Sequence, residues 1–220
     1  MQFVTPDGGL TTAGYGVFIA AAVIALLLAS VLAGRYTARR KFSATQLAFC
    51  GLAIALAYVT SYVHLLKMPF GGSVTLFSML FIVLIANWYG IGTGLLVGLV
   101  YGILQFIQEP YFLSFFQVCC DYLLAFAALG LAGFFRNRKN GLALGYVAGV
   151  IGRGFFAAMA GYFFWMSYMP DNFPKALAPV YPIVYNFMYL GLEAVLTLIV
   201  IHIPAMKKAL AQVKHLATGE

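Results

Sequence analysis

Residues 17–32 read Val17-Phe-Ile-Ala-Ala-Ala-Val-Ile-Ala-Leu-Leu-Leu-Ala-Ser-Val-Leu32, an uncharged run with one hydroxyl. A strand of a membrane barrel alternates apolar and polar side chains over roughly ten residues, and this run does not alternate. In hydrocarbon every backbone N–H and C=O must be paired inside the protein, so a continuous apolar run has to be helical. The same reading extends to the whole chain. Of its 220 residues, 63% are hydrophobic and 9% charged, against about 25% charged in a soluble domain. That is too little charge to cover a water-facing surface. The fold class expected is all-α, a polytopic membrane helix bundle.

A crossing takes roughly 20 residues of helix. Seven segments qualify, with soft edges: 14–34, 44–66, 73–89, 91–108, 111–135, 141–168 and 180–205. The segment 14–34 has no basic stretch before it and several positive charges after it, the reverse of a secretory signal, so it is read as a retained span. The third segment is short, and Trp88-Tyr89-Gly90-Ile91-Gly92 marks a tight turn into the fourth.

Lysine and arginine in the connections set the orientation. Arg35, Arg39, Arg40 and Lys41 follow the first span, Arg136, Arg138 and Lys139 the fifth, and Lys207, Lys208 and Lys214 the seventh. With seven spans these ten fall on one side, and only Lys67 and Lys175 on the other. The N-terminus is expected outside and the C-terminus in the cytoplasm. Three regions follow: residues 1–41, an additional N-terminal helix with a basic linker; 42–206, a six-helix membrane core; and 207–220, an amphipathic cytoplasmic tail.

This placement also accounts for the net charge of +7 without a nucleic-acid partner. Cys50, Cys119 and Cys120 lie in apolar runs without metal-like spacing, and read as packing residues. His64, His202 and His215 are scattered, so no metal site is expected. There is no HExxH, GxSxG or Walker motif, and hence no enzyme signature and no ATPase activity of its own.

Ionisable side chains at membrane depth are costly and default to function. Asp121, Arg153 and Glu193 are the three. They read either as an internal ion pair or trio that fixes helix packing, or as part of a polar ligand pocket. Aromatic residues gather near the outer ends of the spans: Tyr111 and Phe112; Phe163, Phe164, Trp165 and Tyr168; Tyr181, Tyr185 and Tyr189, with Asn186 among them. They read as an interfacial belt or as a stacking box for a flat organic cation. Their asymmetry favours an outward-facing pocket. In the second span two small-residue faces interleave, Gly51 with Ala55 and Ala53 with Ala57. Such faces serve internal packing or the docking of another membrane subunit. Gly94, Gly98 and Gly102 form a further stripe, read as internal.

Several stretches carry a resemblance to a known family. They are Pro69-Phe-Gly-Gly-Ser-Val-Thr-Leu, Tyr89-Gly-Ile-Gly-Thr-Gly-Leu-Leu-Val-Gly-Leu-Val-Tyr-Gly-Ile-Leu-Gln, Pro110-Tyr111, Gln117-Val-Cys-Cys-Asp121-Tyr122-Leu-Leu-Ala-Phe, Gly130-Leu-Ala-Gly, Phe164-Trp165-Met-Ser-Tyr168 and Tyr181-Pro-Ile-Val-Tyr-Asn186. Over residues 42–205 the chain resembles the thiamine-specific S components of energy-coupling factor (ECF) transporters. The resemblance implies a six-helix core in the bacterial cell membrane, with the span 14–34 as an addition. It implies capture of thiamine or a close analogue from outside, without a cofactor, by a protein that is not itself an enzyme. The partners implied are a transmembrane coupling subunit and two ATPase subunits. The substrate-binding residues implied are Asp121, Tyr122, Trp165, Tyr181, Asn186, Tyr111, Arg153 and Gly161, and Tyr168 and Glu193 are candidates with them. Gly51 and Ala55 match the face that docks on the coupling subunit. Two positions depart from the family: Ala157 stands where some members have histidine, and no tryptophan neighbours Gly71-Gly72. The competing reading is a solitary ion-coupled transporter of thiamine, a precursor or a related vitamin, with Asp121, Arg153 and Glu193 as its only relay candidates.

Overall fold

The structure, a computed structural model, describes residues 42–69 and 71–219. The expected span 14–34 and its basic linker lie outside the described residues.

The first described helix, α1 (Ala44–Ser61), begins where the Ser43 side chain accepts from Gln46 N at 3.0 Å. Its inward face is small: Cys50, Ala53 and Ala57 are buried. Its outward face carries Leu47, Leu52, Leu56 and Val59, all exposed. Large apolar groups outside and small ones inside are the pattern of a helix dissolved in lipid. Exposed leucine, isoleucine, valine and phenylalanine recur on every long helix, from Leu95 to Ile199. Five helices of the described residues are long and apolar enough to cross a membrane, and the protein is a multi-pass membrane protein.

The expected span 44–66 is shorter than the sequence suggests. Helix α1 stops at Ser61, and His64–Lys67 (β1) pairs antiparallel with Ser73–Thr75 (β2). Pro69 cannot donate a backbone hydrogen bond, and Gly71 and Gly72 take φ of 91° and 80°. Only glycine enters that region freely, so a hairpin forms where hydropathy alone continues the helix. A second reversal at Phe77, φ 59°, leads into α2 (Ser78–Tyr89). At 12 residues α2 extends about 18 Å, too short to cross alone. It is buried along nearly its whole length and forms the centre of the bundle.

Gly90, at φ 93°, turns the chain into α3 (Ile91–Gln108). This helix lies directly on α4 (Phe115–Phe135): a Cβ placed at Gly98 or Gly102 would overlap the carbonyl oxygen of Phe126 or Tyr122. The Ser114 side chain caps α4, accepting from Gln117 N at 3.0 Å. The helix is irregular throughout. An α turn (115–118) gives way to a π turn at Cys119–Leu124, and the last eight residues tighten to a 3-10 helix. Next comes α5 (Gly141–Phe164), then two short 3-10 turns, Met166–Tyr168 and Lys175–Val180, and α6 (Tyr181–His202).

The tail expected from residue 207 is a helix that begins earlier, α7 (Pro204–Thr218). Proline opens it at a position where its missing N–H is harmless. The Tyr89 hydroxyl donates to Ala217 O at 2.8 Å, so α7 is held against the end of α2.

Candidate functional site

At one end of the bundle a cavity of about 550 Å³ is enclosed by the β1–β2 hairpin, the C-terminal ends of α3 and α5, and the N-terminal halves of α4 and α6. Small-molecule sites occupy roughly 300–1,000 Å³.

The π turn sets the acid. Such a turn carries one residue more than the α-helix it interrupts, which re-aims the side chains on it. Asp121 and Tyr122 both lie on it. Asp121 Oδ2 accepts from Gln117 Nε2 at 2.8 Å and from Trp165 Nε1 at 3.2 Å. No donor of the described residues reaches Oδ1, and Asp121 lines the cavity. The Tyr122 hydroxyl donates to Glu109 O at 2.9 Å, fixing the strand of chain between α3 and α4.

Beside the acid stands an aromatic wall. The Tyr111 and Trp165 rings lie 4.7 Å apart at 40°, and Trp165 and Tyr168 5.3 Å apart at 50°. The Tyr111 and Tyr168 hydroxyls share a hydrogen bond of 3.1 Å. That shared bond raises the Tyr111 phenol above its usual range. Tyr181 donates to Tyr168 O at 3.4 Å. Cations are attracted to aromatic faces within about 6 Å of the ring centre.

The opposite wall comes from α6. Asn186 Nδ2 donates to Pro182 O at 2.9 Å, and its Oδ1 accepts from Tyr189 at 2.8 Å. Gly161 permits this arrangement, since a Cβ there would lie 2.8 Å from Pro182 Cβ. Arg153 rises from α5 with its guanidinium carbon 4.1 Å from the centre of the Phe126 ring.

Asp121, Tyr122, Trp165, Tyr181, Asn186, Tyr111, Arg153, Gly161 and Tyr168 thus all line one cavity. Glu193 does not. It is 2% exposed, and its Oε2 accepts from Thr75 N at 2.8 Å and from Thr75 Oγ1 at 2.9 Å. It anchors β2, which itself borders the cavity. The ion trio entertained for Asp121, Arg153 and Glu193 does not form: no carboxylate of the described residues lies within 4.0 Å of the Arg153 guanidinium, which packs on an aromatic ring. Glu193 instead meets the backbone of a turn that hydropathy does not reveal.

Other residues support or line the site. Gln117, fully buried, orients the acid from one turn away. Tyr185 donates to Gly71 O at 2.9 Å. Ser61, Gln105 and Gln108 form a bonded cluster, with Gln105 Nε2 donating to Ser61 Oγ at 2.9 Å and Ser61 to Gln108 Oε1 at 3.0 Å. The only available sign of that cluster was polar residues at helix ends, which also end helices for no functional reason. Ala157 lines the cavity. No group of three or more metal-ligating side chains occurs among the described residues.

Outside the cavity, the two faces of α1 separate. Ala53 and Ala57 are buried. Gly51 and Ala55 are exposed, and no atom lies within 4 Å of where a Gly51 Cβ would be.

A family model described as thiamine transporter protein (Thia_YuaJ) matches residues 47–213. The chain is 31% identical over 144 residues to the thiamine transporter ThiT of Bacillus subtilis, an alignment that takes in 57% of this chain and 70% of that protein. Its fold is similar to that of ThiT from Listeria monocytogenes, with a TM-score of 0.57 and 23% identity over 71% of this chain and 92% of the other.

Proposed function

Because this chain belongs to the thiamine transporter protein family, a family of transporters and not of enzymes, we propose that it is the substrate-binding membrane subunit of an ECF-type importer. In this reading it captures thiamine from the exterior, and a transmembrane coupling subunit with two ATPase subunits drives uptake. The observation that carries the reading is the pairing of a half-satisfied carboxylate with stacked aromatic rings in one cavity. Thiamine joins an aminopyrimidine, which donates hydrogen bonds, to a thiazolium cation. Asp121 Oδ1 has acceptor capacity for the first, and the Tyr111–Trp165–Tyr168 wall suits the second. Arg153 and Asn186 complete the proposed site.

The proposed orientation puts the cavity outside and α7 in the cytoplasm, following the distribution of lysine and arginine. The exposed Gly51/Ala55 face supports docking on the coupling subunit, since small residues let a partner helix approach closely. A ligand-binding subunit cannot expel its ligand without a differential interaction supplied from elsewhere, and docking is the proposed source.

Quenching of intrinsic fluorescence by thiamine, thiamine monophosphate, the isolated pyrimidine half and riboflavin tests the ligand. Saturable quenching by thiamine and none by riboflavin is expected, and equal response to both overturns the reading. Thiamine accumulation by vesicles that contain this chain and no ATPase would identify a solitary ion-coupled transporter instead.

A further inference from the structure

At the opposite end of the bundle lies a second, smaller cavity of about 200 Å³ between the end of α2, the start of α5, the end of α6 and α7. Its polar lining has one sign. Lys207 and Lys214 border it from α7, and no carboxylate of the described residues does. They stand seven residues apart, on the same helix face as Leu210 and Ala211, which also line it.

Two further features offer hydrogen-bond donors. Helix α5 starts here without a side-chain cap. Leu142 and Ala143 of its first turn border the cavity, so unpaired N–H groups and the positive end of a 24-residue helix meet it. Asn87 also lines it, is 8% exposed, and its Nδ2 has no hydrogen-bond partner among the described residues. A buried donor left unpaired is costly. It is explained most simply if an acceptor belongs there.

We propose that this cavity binds a phosphate group, as carried by the headgroup of an anionic phospholipid. Two ammonium groups, a helix N-terminus and an unpaired amide recognise a compact oxyanion. Asn140 and His202 add neutral polar groups, and the large apolar lining residues, Trp88, Leu142, Ile201 and Leu210, suit the glycerol and upper acyl chain. Depth agrees: Pro182 borders the large cavity and Ile201 this one, and the intervening α6 covers roughly 30 Å, the thickness of the hydrocarbon core. The small cavity therefore lies at headgroup level. Val213 and Leu216 on α7 are exposed, ready to enter the same leaflet.

Native mass spectrometry of the full-length protein, titrated with phosphatidylglycerol, phosphatidylcholine or inorganic phosphate, tests this. One phosphatidylglycerol should be retained in preference to phosphatidylcholine. Retention should fall at least tenfold in the Lys207→Gln/Lys214→Gln variant and stay unchanged in Lys139→Gln/Lys208→Gln, whose lysines do not line the cavity. Thiamine titration of each variant reports whether the bundle is intact. Asn87→Leu should weaken phosphatidylglycerol retention while the melting temperature holds. Lysine-dependent binding of inorganic phosphate without lipid selectivity supports the oxyanion site and overturns a lipid as its source. Binding indifferent to Lys207 and Lys214 overturns the proposal.

Discussion

The indole N–H of Trp165 donates to Asp121 Oδ2 at 3.2 Å, joining the C-terminal cap of α5 to the π turn of α4. With Gln117 on the same oxygen, the carboxylate is held from two sides and its other oxygen is left for a ligand. Asp121→Asn should therefore weaken thiamine binding at least tenfold, about 1.4 kcal/mol or more. Trp165→Phe keeps a ring but loses the donor, and should lose less than Trp165→Ala. Titration calorimetry checks all three without relying on tryptophan emission.

Gly72 has φ of 80°, and a Cβ there would lie 2.6 Å from Cε1 of Tyr189. Gly72→Ala meets both a disfavoured backbone and an occupied space. It should lower stability by about 1–3 kcal/mol and reduce ligand affinity, because Tyr189 also holds Asn186. Thermal melting with and without thiamine reads both effects.

Glu193 binds the backbone and side chain of Thr75 far from it in sequence. Glu193→Leu leaves the Thr75 backbone N–H buried and unpaired, while the Thr75 hydroxyl keeps its bond to Ser78, a loss of about 1–3 kcal/mol. Glu193→Gln retains an acceptor and should lose less. Hydrogen exchange of residues 73–78 should quicken in the leucine variant before the rest of the bundle responds.

Gly51 and Ala55 face outward on α1, away from the cavity. Gly51→Leu should leave thiamine affinity within twofold of the parent and abolish uptake in cells that contain the whole transporter. Parallel binding and uptake assays check this; normal uptake removes the docking role.

The helices were readable because lipid imposes a simple rule on sequence. Runs such as Ile91–Gln108 stay apolar for as long as they are in hydrocarbon, and Gly90 ends one of them visibly. The hairpin at residues 64–75 was not readable, because Leu65 and Leu66 continue the hydropathy of α1 while Gly71 and Gly72 reverse the chain a few residues later. The cavity residues were named through a family resemblance. Composition alone left Asp121, Arg153 and Glu193 equivalent, and only their neighbours separate them: two donors for the first, a phenyl ring for the second, a turn for the third. Gln117 stands in a motif that carries the resemblance, but one glutamine in an apolar run has no periodicity, so its hold on Asp121 comes from the structure alone.

The π turn at Cys119–Leu124 makes the bearing of Asp121 a matter of counting. Each residue of an α-helix advances about 100°, so deleting a single residue from that turn would swing the carboxylate a quarter-circle or more off target. Chain length there is as much a part of the recognition code as the acid itself.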